Sequence, residues 1–303
     1  MSGKDWLFLT AQKLAPHHLV SRLAGGVASC QRPLFLKNWI IRSFARRYGV
    51  EMDDAARQNL LDYKSFNDFF TRELRADARP LDDAPGGVLS PVDGTVSQVG
   101  SIRRGRLIQA KSHDYSLIGL LGGDEDRARP FVDGEFSTIY LSPTDYHRVH
   151  MPVEGTLREV VHVPGRLFSV NPLTASKIPD LFARNERVIC LFDTALGPMA
   201  VIMIGAMVVA SIETIWTGAV TSGRTARGLV DLRSSPVPRH VYQGSEIGLF
   251  KLGSTVITLF GAGRINWSGK CFSSRRVRVG ELLASAASPR VVHAAATSGI
   301  HIP

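Results

Sequence analysis

Three short segments hold residue types that can do chemistry together: Ser90-Pro91-Val92-Asp93-Gly94, Tyr146-His147-Arg148-Val149-His150-Met151-Pro152 and Leu252-Gly253-Ser254-Thr255. A carboxylate, an imidazole and a hydroxyl are the members of a relay in which the acid orients the ring and the ring takes the hydroxyl proton. Singly, each segment has a bland reading. Asp-Gly suits a turn, Gly-Ser inside an apolar run suits a bulge, and His147 with His150 lacks an obvious third ligand, so no metal site is expected. Ser254 has no Gly-x-Ser-x-Gly elbow around it, and 247–260 reads as a strand interior. A serine placed there meets few outside substrates. It does reach the carbonyl of the preceding residue, and Gly253 leaves that carbonyl unshielded and accepts the bent backbone such an attack needs.

The elements that must bring 93, 150 and 254 together read as an α+β chain. Apolar patches at Trp6, Leu7, Leu9, Leu14 and at Leu19, Val20, Leu23 flank Pro16. Leu36, Trp39, Ile40, Phe44 and Tyr48 then recur at helical spacing, with Lys37, Arg42 and Arg46 largely off that face and Gly49 as a stop. Ser65 with Asp68 reads as an acidic capping box, and Phe66, Phe69, Phe70 and Leu74 as a core-facing stripe that ends at Arg79-Pro80. After Gly87 the pattern changes to β-prone runs at 87–99, 136–141, 155–163, 187–192, 199–217, 247–260 and 271–279. Residues 218–245 read as a long mobile connection and the tail beyond Ala284 as loosely ordered. The expectation is basic amphipathic helices in a helical region, 1–80, ahead of a compact β-rich catalytic core, 81–303.

Hydrophobic residues at 44% and charged residues at 21% furnish a buried core and exclude a disordered chain. Three scattered cysteines, Cys30, Cys190 and Cys271, do not make a disulfide framework. The net charge of +9 is uneven: residues 1–50 carry +7, 254–303 carry +5 and the middle −3. Basic ends interleaved with apolar residues favour an anionic membrane surface over nucleic acid. No signal peptide is apparent, and the longest apolar stretch, 199–210, is far short of the ~20 residues that span a bilayer. Peripheral contact is expected.

Residues 66–74 with Arg79-Pro80, the 90–94 and 146–152 segments, Phe168-Ser169-Val170-Asn171-Pro172 and 248–257 together resemble the phosphatidylserine decarboxylases, self-processing enzymes that depend on a pyruvoyl group. The Leu-Gly-Ser-Thr form is that of the bacterial and mitochondrial membrane-bound members. The resemblance implies that Ser254 attacks the Gly253 carbonyl, with His150 as general base and Asp93 fixing its tautomer. Chains 1–253 and 254–303 result, and Ser254 becomes the pyruvoyl cofactor. It further implies that this group takes the amine of phosphatidylserine and serves as electron sink for decarboxylation to phosphatidylethanolamine, with His147 as the candidate acid. Thr255 and nearby amides are candidate oxyanion donors. A homodimer, peripheral on the cytoplasmic side of a bacterial cell membrane, is the implied setting.

Two other readings stay open. An autoproteolytic serine hydrolase would use the same residues and end with an ordinary N-terminal serine at 254. A non-catalytic membrane-binding β module would leave the chain uncut.

Overall fold

The N-terminal region folds around aromatic side chains. In the computed structural model, which describes residues 10, 12, 17–110, 113–206, 211–220, 228–230, 232, 235–251 and 254–287, the helices His17–Ser29 and Leu34–Tyr48 lead into a five-residue helix, Phe66–Phe70. Ile41, Ala45, Tyr63, Phe66, Phe69 and Phe70 form one buried cluster. Ser65 caps the short helix by accepting the Asp68 amide, as the capping reading predicts; Asp68 itself accepts the Lys64 amide and pairs with Arg57. The patch at Trp6–Leu9 and Leu14 lies outside the described residues.

Amphipathicity in these helices differs from expectation in a specific way. His17–Ser29 buries His17, Ser21, Gly25 and Ala28, small or polar positions, and turns Leu19, Leu23 and Val27 to the outside. In Leu34–Tyr48, Ile40 and Phe44 pack on the aromatic cluster, whereas Leu36, Trp39 and Tyr48 of the same predicted stripe are exposed with Leu34 and Phe35. Lys37, predicted off the apolar face, is buried because its ammonium caps the Leu61 and Tyr63 carbonyls.

The body is built on a nine-stranded antiparallel sheet. Its strands follow the order Gly228–Leu229, Gly155–Val163, Arg187–Thr194, Gly197–Gly205, Ser254–Phe260, Glu135–Leu141, Gly94–Ser101 and Arg276–Val277, with His240–Val241 also paired to Gly155–Val163. Central strands such as Ser254–Phe260 are buried along their whole length, which is why they read as unbroken apolar runs rather than alternating ones. One face packs Val96, Ile139, Val201, Met203 and Val256 against Val149, Ile212 and Phe250 of a smaller sheet. That sheet runs Gly218–Val220, Ser211–Thr214, Glu246–Lys251, Arg148–His150. The other face packs Phe136, Ile189, Ile202 and Leu259 beneath short helical segments that carry Leu117, Phe131 and Phe182. There the buried Arg187 guanidinium donates to the Gly119, Leu120, Ala183 and Asn185 carbonyls.

Gly155–Val163 takes the predicted bounds. The run at 87–99 is instead Gly87–Leu89 and Gly94–Ser101, broken at the Ser90–Asp93 bend, and 247–260 is two strands in two sheets, Glu246–Lys251 and Ser254–Phe260. Residues 199–217 likewise divide between Gly197–Gly205 and Ser211–Thr214. The connection predicted at 218–245 holds three short strands among its described residues, and Leu282–Ala286 is a strand paired with Gly87–Leu89, so the ordered chain continues past Ala284. Among the described residues no helix is long and apolar enough to cross a membrane.

Candidate active site

Ser254 is the first residue of the central strand, fully buried, and stands opposite Leu141 on one side and Gly205 on the other. Among the described residues its Oγ has no hydrogen-bond partner, and neither has the Oγ1 of Thr255. A buried hydroxyl without a partner forfeits on the order of 1–3 kcal/mol. Two in succession, at the residues that follow the Gly253 carbonyl, mark a place where packing alone does not account for the sequence. Gly253 itself lies outside the described residues.

The histidine segment belongs to the smaller sheet, and neither of its rings is hydrogen-bonded to the Ser254 hydroxyl. The Phe250 amide donates to the His147 carbonyl, so Arg148–His150 runs beside the strand that leads toward Ser254. His147 is fully buried, with its ring 4.1 Å from that of Phe70. Its Nδ1 lies 2.8 Å from the Asp145 carbonyl, which can only accept, so the neutral ring carries its proton there and presents an unpartnered Nε2 lone pair. Burial pushes its pKa down to about 3, against the lift from the Asp145 carbonyl, and Arg72 adds to the lowering. His147 is therefore a neutral proton acceptor near pH 7.

His150 is half-buried, and both its nitrogens are engaged. Nδ1 donates to the Gly244 carbonyl at 2.8 Å, which makes Nε2 the acceptor from the Tyr146 hydroxyl at 3.0 Å. Burial lowers its pKa; the Gly244 carbonyl, Glu246 and Asp93 oppose this. Its amide donates to the Pro91 carbonyl, tying the histidine segment to the Ser90–Gly94 bend.

Asp93 sits in that bend, and the geometry requires glycine after it: a Cβ on Gly94 would stand 2.5 Å from the Tyr140 carbonyl oxygen. The Asp93 carboxylate accepts from Arg79 Nε at 3.0 and 3.2 Å, from Arg79 Nη2 at 2.6 Å and from the Val279 amide at 2.8 Å. It is hydrogen-bonded to neither histidine, although its charge acts on both rings. The predicted Asp93–His150 contact is thus replaced by an Asp93–Arg79 pair, because a buried carboxylate with a guanidinium in reach takes the charged donor first.

Two clefts open beside these groups. One of about 390 Å³ is lined by Arg72, Arg79, Asp93, Asp145, Arg276 and Arg278; the other, of about 480 Å³, by Arg79, Tyr146, Arg148, His150 and Glu246. Arg79 and Tyr146 border both, and Ser254 lines neither. Sequence reasoning gave no role to Arg79 or to the Tyr146 hydroxyl. Had Asp93 been read as buried, its demand for a cation is the signal that would have found the first.

A family model described as phosphatidylserine decarboxylase matches residues 66–285, and a second, described as PSD, matches 7–49. Proteins named phosphatidylserine decarboxylase proenzyme are similar along nearly their whole length. The one from Bordetella petrii is 62% identical over 285 residues, 94% of this chain and 99% of its own length; that from Bordetella pertussis is 59% identical over 292 residues, covering 96% and 98%. A Pseudomonas putida protein of the same name is 56% identical over 284 residues, covering 93% and 98%. The chain belongs to the phosphatidylserine decarboxylase family.

Proposed function

We propose that the chain is made as a proenzyme that cuts itself between Gly253 and Ser254, converts Ser254 to a pyruvoyl group, and then decarboxylates phosphatidylserine to phosphatidylethanolamine and carbon dioxide. The observation that carries this reading is the Ser254 hydroxyl: buried, unpartnered, next to a glycine carbonyl, on a chain of this family. The surroundings suit a pyruvoyl group, since Gly205 opposite Ser254 adds no side chain there.

In the cut, His150 takes the Ser254 hydroxyl proton once the Tyr146 hydroxyl turns from Nε2, and the oxygen adds to the Gly253 carbonyl. The carbon–nitrogen bond breaks as the nitrogen receives that proton, leaving an ester. Loss of the Ser254 α-proton then breaks the Cβ–O bond, which frees 1–253 with a C-terminal carboxylate and leaves dehydroalanine at 254. Tautomerisation and addition of water expel ammonia. Asp93 acts on the imidazolium through space. Once formed, the pyruvoyl carbonyl supplies an electron sink for the bond to the departing carboxylate. His147, neutral as it stands, is assigned the return of a proton to carbon. This refines the acid role expected from sequence, because a ring with its Nε2 unprotonated must be loaded before it donates.

The outward stripe of Leu19, Leu23 and Val27, with Leu34, Phe35 and Trp39 and the interspersed Arg22, Arg42, Arg46 and Arg47, supports peripheral contact with an anionic membrane. A homodimer on the cytoplasmic face remains part of the proposal, tested by sedimentation in detergent. The intact mass of purified protein tests the central claim. Fragments 1–253 and 254–303, the smaller lighter by one ammonia than a serine-started peptide, are expected; carbon dioxide release from phosphatidylserine vesicles completes it. A free serine at 254 would instead favour hydrolysis, and an uncut, active chain would overturn the reading.

A further inference from the structure

Arg79 lies on the segment between the aromatic cluster and the β body. Its guanidinium grips Asp93 through Nε and Nη2 and reaches Asp54 through Nη1 at 2.7 Å. The third party is the stretch Val279-Gly280. Its Val279 amide donates to Asp93, and its Gly280 carbonyl accepts the Asp82 amide. A Cβ on Gly280 would stand 2.7 Å from the Pro80 carbonyl oxygen, so the backbone carrying Arg79 lies tightly against the backbone that holds Asp93. The clamp therefore joins three separate stretches of chain around one carboxylate, and Arg79, with Leu74 and Tyr146, borders both clefts.

We propose that Arg79 is a positioning residue for self-cleavage: it fixes the Asp93 carboxylate between its own fork and the Val279 amide, so that Asp93 presents a set charge to His150. This rests on the self-processing reading above. The planar fork matters as well as the charge, because Nε and Nη2 together set the plane of the carboxylate, which a lysine ammonium cannot do. Without Arg79 the carboxylate retains the Val279 amide alone and is free to turn.

The test follows the appearance of 254–303 after in vitro synthesis, by mass and by gel, which does not depend on decarboxylase turnover. R79A is expected to cleave about a hundredfold more slowly than wild type, the scale of a misplaced catalytic partner. Added guanidinium ion is expected to restore part of that rate, and R79K to remain at least about tenfold slow for want of the fork. Circular dichroism and melting establish that R79A is folded. Cleavage of folded R79A at or above the wild-type rate, or a slow folded R79A that guanidinium does not rescue, overturns the proposal. If R79A does not fold, R79K decides: a wild-type rate there overturns it. Wild-type protein that fails to yield the ammonia-depleted fragment refutes the self-processing reading itself, an outcome distinct from either.

Discussion

The exposed aromatic at Trp39 gives the membrane proposal a number. A tryptophan offers about 150–250 Å² for burial, and Trp39 is 65% exposed, so about 130 Å² is available for a lipid surface to cover. At roughly 25 cal/mol per Å² that is worth about 3 kcal/mol, or about a hundredfold in partitioning when coverage is complete. Insertion at an interface covers part of it. Trp39→Ser is therefore expected to weaken binding to anionic vesicles by a factor between about ten and a hundred. The nearby Arg42 and Arg46 should contribute roughly 1 kcal/mol each, screened by salt. The assay is co-sedimentation with sucrose-loaded vesicles of phosphatidylserine and phosphatidylcholine at low and high salt. The Trp39→Ser deficit should persist at both salts, whereas the deficit of Arg42→Gln with Arg46→Gln should shrink at the higher. Unchanged partitioning of Trp39→Ser at both salts would refute the assignment of this face to lipid, and self-cleavage measured alongside should be unaffected.

Further consequences concern the interior. The depressed pKa of His147 makes stability depend on pH: its contribution is fully present above its ordinary value of 6.5 and is lost as pH falls toward about 3. Urea melts at pH 7 and pH 5 should show His147→Gln losing less on acidification than wild type; equal losses would contradict this. Gly94→Ala drives a Cβ toward the Tyr140 carbonyl, and should cost about 1–3 kcal/mol and slow self-cleavage by displacing Asp93, read by thermal melting and by gel. Arg187→Met leaves four carbonyls without their donor and should destabilise the fold by at least about 3 kcal/mol, measured by chemical denaturation.

The strand at 187–192 was legible because burial on both faces asks for an apolar run, which 188–192 displays, and the one at 155–163 because exposed Thr156 and Arg158 alternate with buried Gly155 and Leu157 before a β-branched stretch. The division of 247–260 was not legible, since both halves are equally apolar and the change of sheet is decided by which neighbours each meets. In His17–Ser29 the sequence showed an apolar patch at Leu19, Val20 and Leu23, but not the outward stripe of Leu19, Leu23 and Val27. Ser21, Gly25 and Ala28 allow that helix close approach on its polar side, and periodicity cannot tell which face is turned in. At the site, residue types singled out Asp93, His147, His150 and Ser254 as candidates, whereas their partners were not legible: Arg79 meets Asp93 across 14 residues and the Gly244 carbonyl meets His150 across 94, while the Asp145 carbonyl and the Tyr146 hydroxyl are near in sequence but are aimed by the local bend.

The proposed cut would separate the strand Glu246–Lys251 from Ser254–Phe260, and every residue from Ser254 to Phe260 is laddered on both flanks, to 135–141 and to 199–205. The 50-residue product of that cut would own a central strand of the main sheet, and would add Arg276–Val277 to its edge and Leu282–Ala286 to another sheet. Severing the peptide bond does not create a removable subunit. Separation of the two chains would be the same event as unfolding, so their affinity for each other is the stability of the fold divided between two molecules. Dilution, which parts ordinary heterodimers, should leave this pair intact until denaturant dissolves the sheet itself.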